Sequence, residues 1–309
     1  MLTMYVKDGD QVIKTPLRKP QDGEKAWIDI GPESPQPLPG VYAALGWDPE
    51  GLPSRPVSDG RAKLETWGNV SCLAVLTPEG DELQPFTIIF GPSVIITAHD
   101  RPIRILGEMA QDLATKSGLL DSAHYLLYDL LERVSDDYLE KMDSYEGEFD
   151  ELEESVLDGH DRARDVFRLR HHLHHVRGVL ADLRRIAAKL SRRRFGQAEG
   201  QEDEANIFVD VYDAFYHVMD NVDSLRDNLT GLVDLGLNQR STRLNEIMKF
   251  LTIFSTIFLP LTFITGFFGM NLTTMRPELA TPHGQALTIV LMLAVAVAML
   301  VIFKRRKWL

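Results

Sequence analysis

The 309-residue chain contains one cysteine, Cys72, so no disulfide can form within it and nothing points to an oxidising compartment. Positive charge is in short supply: 33 Lys and Arg face 45 Asp and Glu, for a net charge of −12. A nucleic-acid partner, which needs a basic surface to neutralise phosphates, is not expected. No glycine-rich loop able to cradle a phosphate is present, which leaves coupling to ATP hydrolysis without support. Nor does any Ser–His–Asp or Cys–His set suggest nucleophilic catalysis; His99 and Asp100 are adjacent in sequence, which fixes no geometry. The chain is therefore expected not to be an enzyme, and no organic cofactor is expected. Its opening residues, Met1 to Asp10, lack the basic and apolar regions of a signal peptide, so a cleaved signal is not expected.

Charge is missing altogether from two stretches near the end, residues 250–268 and 286–303. At 1.5 Å rise per residue, about 18–20 apolar residues cross the ~30 Å hydrocarbon core of a bilayer. Both stretches reach that length, and soluble core helices seldom run so far without a charge. The mean hydropathy of the whole chain is only −0.12, so the membrane part is a minority of it. Lys304, Arg305, Arg306 and Lys307 follow the second stretch, while Arg240, Arg243 and Lys249 precede the first. The loop between them holds only Arg276, Glu278 and His283 as charged or titratable residues. By the positive-inside bias this is a multi-pass protein of the plasma (inner) membrane, with both termini cytoplasmic and the short loop outside. An acidic soluble part behind such spans suits the concentration or binding of cations, unless the acidity serves solubility alone.

Seven segments follow from the pattern. Residues 1–115 read as a cytoplasmic α/β domain with strand-like runs at 27–30, 72–76, 86–90 and 94–98, the last two forming a hairpin about Gly91-Pro92-Ser93; residues 31–60, rich in Pro and Gly, read mostly as loop. Residues 116–204 read as long antiparallel helices, the first acidic and the second basic, closed by a polar loop at 196–204. A stalk helix, 205–249, continues without a breaker into a first transmembrane helix at 250–271, and the first proline along it is Pro260. An external loop at 272–285, a second transmembrane helix at 286–303 and a basic cytoplasmic tail at 304–309 complete the chain. The fold class is thus an α+β cytoplasmic domain followed by long α-helices and two C-terminal transmembrane helices.

Alternating steps of four and three along the long helix pick out Asp234, Asn238, Ser241, Asn245, Met248, Thr252, Ser255, Leu259, Thr262 and Gly266. Most of these are polar, and their mean spacing of 3.5 is the period of a left-handed helical bundle. Polar side chains at membrane depth face a protein interior or a water-filled path. The stripe is open to two readings: small polar residues can let helices pack closely, or they can form stacked rings around an axial pore in a symmetric oligomer.

At the outer end of the first span stands Gly269-Met270-Asn271, preceded by Phe258-Leu259-Pro260-Leu261-Thr262-Phe263-Ile264-Thr265-Gly266 and, nearer the cytoplasm, by Asn245-Glu246-Ile247-Met248-Lys249-Phe250-Leu251. Together with Asp210-Val211-Tyr212-Asp213, Leu225-Arg226-Asp227 and the ending Lys304 to Leu309, this part resembles the CorA family of divalent-cation channels, whose signature is Gly-Met-Asn at the outer pore mouth. The similarity is strongest from about Val209 to Leu309 and follows the family's domain order along the whole chain. The resemblance implies a homopentameric funnel with a central pore, with the chain itself and the lipid bilayer as its partners. Mg²⁺, with Co²⁺ and Ni²⁺ as surrogates, would be the transported cation. Asn271 would meet the hydrated ion, Thr262 and Asn245 would form further polar rings, Met248, Leu251 and Leu259 the hydrophobic gate, and Asp234 a ring in the funnel. Here Leu251, not Thr252, takes the inward position.

The family likeness also implies regulation by cytoplasmic Mg²⁺ bridging carboxylates of neighbouring subunits. Asp210 matches one ligand, and Glu79 or Asp81, near the hairpin, are the candidates for its partner. Carboxylates suit a hard cation. His171, His172, His174 and His175 form a cluster on the basic helix; the 171 and 175 positions share a face, as Zn²⁺ ligands would, but a solvated or packing face is the plainer reading. The external loop has one acid, Glu278, balanced by Arg276, which keeps a proton-coupled Zn²⁺ transporter of the ZntB type in view. A non-conducting membrane scaffold is the third reading, although Leu272-Thr273-Thr274 lacks the paired glycines expected of ZntB and favours Mg²⁺ over Zn²⁺.

Overall fold

The computed structural model describes residues 2–8, 11–32, 34, 37–57, 60–192, 203–269, 282–306 and 308. They divide into two units, Met1–Leu232 and Val233–Leu309, and the division falls inside the segment expected as a stalk.

The first unit is built on a seven-stranded mixed sheet. Its strands are β1 (Leu2–Asp8), β2 (Gln11–Thr15), β3 (Ala26–Ile30), β4 (Lys63–Trp67), β5 (Val70–Glu79), β6 (Glu82–Phe90) and β7 (Val94–His99). The order across the sheet is β2-β1-β3-β7-β6-β5-β4. All pairs are antiparallel except β3 with β7. The expected hairpin is β6–β7, with Phe90 opposite Ile95. Every residue of β7 is buried, because the centre of the sheet is covered on both faces and its strands can be apolar throughout. On one face Met4, Val6, Ile28, Ile89 and Ile96 pack against Val41, Tyr42 and Leu45 of helix α1 (Leu38–Leu45). The opposite pleat carries Tyr5 and Trp27, stacked at 4.9 Å. The Trp27 indole N–H donates to Thr97 Oγ1 (3.0 Å), whose hydroxyl donates to Asp29 (2.6 Å).

Helix α1 lies where loop was expected. Prolines at 37 and 39 stand at its start, where a missing N–H costs nothing and the fixed φ favours the first turn, so they begin the helix instead of breaking it. Gly46 ends it with a left-handed φ of 73°, its N–H returning to Ala43 O at 3.1 Å.

Helix α2 (Arg104–Asp112) and a short 3-10 turn (Ser117–Leu120) lead to α3 (Ala123–Leu157) and α4 (Ala163–Ser191). Ser122 caps α3 by accepting from the His124 N–H, and Gly159 at φ 84° opens the turn into α4. The two helices run antiparallel: Glu148 accepts from Arg168 at 2.8 Å, and Tyr145 lies 6.3 Å from the His172 ring. Asp137, one of the acids of α3, is buried. It accepts from Thr77 Oγ1 (2.9 Å) and Arg104 (2.5 Å), and burial pushes its pKa up to about 6. Tyr138 beside it donates to Leu76 O at 3.0 Å, tying α3 to β5.

Helix α5 (Asp203–Phe268) begins two residues inside the expected loop; the remainder of that loop lies outside the described residues. Its first half buries Phe208, Val211, Phe215, Val218, Val222, Leu225, Leu229 and Leu232. These alternate at three and four residues, the seam of a coiled coil. Arg177 of α4 grips Asp223 of α5 with two hydrogen bonds, 2.5 and 3.1 Å. In the second unit, α6 spans Pro282–Arg305 and so starts four residues before the expected span. Hydropathy marks the apolar part of a helix, whereas a proline at the first position marks its true start.

Candidate functional site

The second half of α5 inverts the burial of the first. Ile253 is buried, and Lys249, Thr256, Ile257, Pro260, Leu261, Ile264 and Phe268 are half-buried. At 100° per residue these cluster on one side of the helix. The predicted stripe lies on the other: Asp234, Asn238, Ser241, Asn245, Met248, Thr252, Ser255, Leu259, Thr262 and Gly266 are all exposed. Ile253 and Pro260, counted along the sequence, fall in the same three-four frame as Phe208–Leu232, and within the span the stripe lies opposite the packed side. Leu259 is 75% exposed and Leu251 56%, large apolar surface that a single chain leaves uncovered.

Hydroxyl use separates the threonines of the span. Thr252 donates to Met248 O (2.7 Å), Thr256 to Thr252 O (2.7 Å) and Thr265 to Leu261 O (3.0 Å). Such back-bonding satisfies the hydroxyl within its own helix. Among the described residues, the Thr262 hydroxyl alone of these four makes no such bond. Its backbone carbonyl accepts from Thr265 (2.9 Å), leaving its side chain available on the stripe. Pro260 sits within α5 and has no N–H for the Thr256 carbonyl one turn earlier.

Gly269 closes the span: its N–H donates to Thr265 O at 2.8 Å, and a Cβ built on it would stand 2.8 Å from that same oxygen. A side chain at this position would have to displace the backbone. Met270 and Asn271, the other two residues of the signature, lie outside the described residues, as do 272–281 of the external loop.

Asp210 is exposed on α5. The two candidates for its partner occupy the β5–β6 turn and differ in their engagement. Glu79 accepts from the Arg104 backbone N–H at 2.7 Å and so satisfies the first turn of α2. Asp81 is 94% exposed and accepts from Lys141 Nζ at 2.9 Å; that hydrogen bond and charge hold its carboxyl below the usual range. Lys141, also 4.8 Å from the Tyr145 ring, was missed by sequence reasoning. A signal for it exists: it is the one base among residues 136–158. Among the described residues no group of three His, Cys, Asp or Glu stands close enough within one chain to hold a metal. His171, His174 and His175 are exposed, and His172 packs beside Tyr145.

The family model described as CorA-like Mg²⁺ transporter protein matches residues 26–305. The chain belongs to this family. The cobalt/magnesium transport protein CorA of Thermotoga maritima is 38% identical over 189 residues, 60% of this chain and 53% of that protein. This chain thus matches about half the length of that relative. The structure of the CorA magnesium transporter from Methanocaldococcus jannaschii superposes with a TM-score of 0.85 at 24% identity, over 99% of this chain and 98% of that one, and shares its fold. A zinc transport protein ZntB from an Enterobacter is 24% identical over 62% of this chain and 58% of that protein. Two helices of the chain, within Ile207–Phe268 and Ala286–Arg305, are long and apolar enough to cross a bilayer. They are the transmembrane helices of a CorA-type membrane protein.

Proposed function

We propose that the chain conducts divalent cations into the cell, Mg²⁺ first and Co²⁺ and Ni²⁺ as surrogates, through the axial pore of a homopentamer. The observation that carries this reading is the exposed stripe on α5, opposite the packed side, with Thr262 presenting its hydroxyl on it. Five copies of that side of the helix around an axis give rings at Asn245, Met248, Leu251, Leu259 and Thr262, three apolar rings between two polar ones. Asn271 at the mouth meets the ion with its water shell, which Mg²⁺ gives up reluctantly. Both termini lie in the cytoplasm, so the plasma-membrane potential pulls the cation inward. A dication gains about 4.6 kcal/mol across 100 mV, which removes the need for ATP.

The test is flux into liposomes with an inside-negative potential, comparing Mg²⁺, Co²⁺ and Zn²⁺ with and without a pH gradient. Mg²⁺ entry that follows the potential supports the proposal. Zn²⁺ entry that rises with the pH gradient, with no Mg²⁺ entry, assigns the chain to the ZntB-like reading. That reading draws on the relative of that name and on the balance of Glu278 by Arg276. No flux of any ion leaves the scaffold.

Regulation belongs to the same proposal. Cytoplasmic Mg²⁺ bridges Asp210 of one subunit to an acid at the β5–β6 turn of the next and holds the pore shut. Asp81 suits this role better than Glu79, because it is exposed and ionised and gives up only Lys141, whereas Glu79 holds the start of α2. Asp81→Asn is expected to raise severalfold the internal Mg²⁺ concentration that half-inhibits flux. An unchanged concentration, measured by titrating Mg²⁺ inside the liposomes, removes Asp81 from the site.

A further inference from the structure

The second unit reverses the charge of the chain. Residues 233–309 carry eight Lys and Arg and only three Asp and Glu. The densest group closes α6: Lys304 and Arg305 fall in its last turn and Arg306 follows directly. All three are exposed, and among the described residues none makes an ion pair or a side-chain hydrogen bond. The chain then folds back on itself. The Trp308 N–H donates to Phe303 O at 3.0 Å, and the indole stacks on the Phe303 ring at 5.8 Å. Phe303 is buried, whereas Trp308 stays 39% exposed.

The place of this cluster along the chain identifies what it meets. Residues 286–303 carry no charge, so Lys304 is the first ion after about 27 Å of apolar helix. That is the depth at which a bilayer presents its phosphodiesters, and an indole with one apolar face and one N–H prefers the same level. The α6 carbonyls at its C-terminus attract cations too, but one helix end carries only about half an elementary charge and does not neutralise three. We propose that Lys304, Arg305, Arg306 and Trp308 form a binding site for the headgroup of an anionic phospholipid. The site lies in the leaflet that faces the C-terminal tail, the cytoplasmic one on the orientation proposed above. Each basic residue favours an anionic surface by about fivefold over a zwitterionic one.

Trp308 supplies the readout, since the other tryptophans, Trp27, Trp47 and Trp67, belong to the first unit. The full-length protein is placed in phosphatidylcholine vesicles in which either phosphatidylglycerol or phosphatidylcholine, at equal mole fraction, carries brominated acyl chains. Quenching is taken relative to Trp308→Phe. Brominated phosphatidylglycerol is expected to quench with an apparent affinity at least about fivefold above that of the zwitterionic lipid. The ratio is expected to fall severalfold in the triple variant Lys304→Gln, Arg305→Gln, Arg306→Gln, in which Lys307 retains part of it. The same fall is expected at about 1 M salt, where the Debye length is ~3 Å. Equal quenching by both lipids in the wild type overturns the proposal, as does a preference that is undiminished in the triple variant. Loss of the preference on adding inorganic phosphate at matched ionic strength assigns the cluster to a free anion and overturns it as well. The measurement needs no ion flux, so its failure is separate from failure of the conduction reading.

Discussion

Asn271→Ala is expected to reduce Mg²⁺ flux into polarised liposomes to the level of empty ones. Mg²⁺ demands octahedral oxygen at about 2.0–2.1 Å and sheds water slowly, so the first selector must recognise the hydrated ion. A ring of amide carbonyls accepts hydrogen bonds from that water shell without stripping it, whereas a ring of methyl groups accepts none. Gly269→Ala provides the comparison within the same signature. Its new Cβ would sit 2.8 Å from the Thr265 carbonyl oxygen, so the backbone leading to Asn271 must shift although every ligand atom is retained. Loss of flux in both variants marks a site defined by position as well as by chemistry. Full flux in Asn271→Ala removes this residue from the ion path, and a Mg²⁺-dependent fluorophore inside the vesicles reads either outcome.

Trp27→Ala is expected to lower the melting temperature of the full-length protein by roughly 10 °C, from a loss of about 3–5 kcal/mol. Trp27 is fully buried at the centre of β3, stacked on Tyr5 and hydrogen-bonded to Thr97. Its removal leaves a cavity between strands and leaves Thr97 short of one donor. Trp27→Phe retains most of the ring and forfeits only the hydrogen bond, so it is expected to cost about 1 kcal/mol. Circular dichroism at 222 nm during heating separates the two; similar melting of both variants would place the Trp27 contribution in its hydrogen bond and not in its packing.

The parts of this fold that were legible in sequence are those where one physical constraint dominates. Strands β3, β5, β6 and β7 are buried on both faces and announce themselves as apolar runs. The edge strands β2 and β4 do not, because Lys14, Lys63 and Glu65 face solvent and dilute the pattern. Helix α1 was hidden behind prolines that punctuate a loop and start a helix with equal ease. The burial of Asp137 was not legible, because sequence gives its period but not the arrival of Arg104 and Thr77 from other elements. The stripe on α5 was legible as a period, and the structure added its exposure and its position opposite the packed side. Which threonine keeps a free hydroxyl was not legible, since back-bonding depends on rotamer. Asn271 rests on its resemblance to the family's signature, and the pairing of Asp81 with Lys141 depends on a contact between residues 60 positions apart.

Pro260 adds a mechanical property to the helix that carries the stripe. The Thr256 carbonyl has no N–H one turn ahead of it. Flexing α5 at that turn therefore has one hydrogen bond fewer to strain than flexing it elsewhere in the span. The more compliant turn lies between Ser255 and Thr262, so the helix bends more readily there than in the turns on either side.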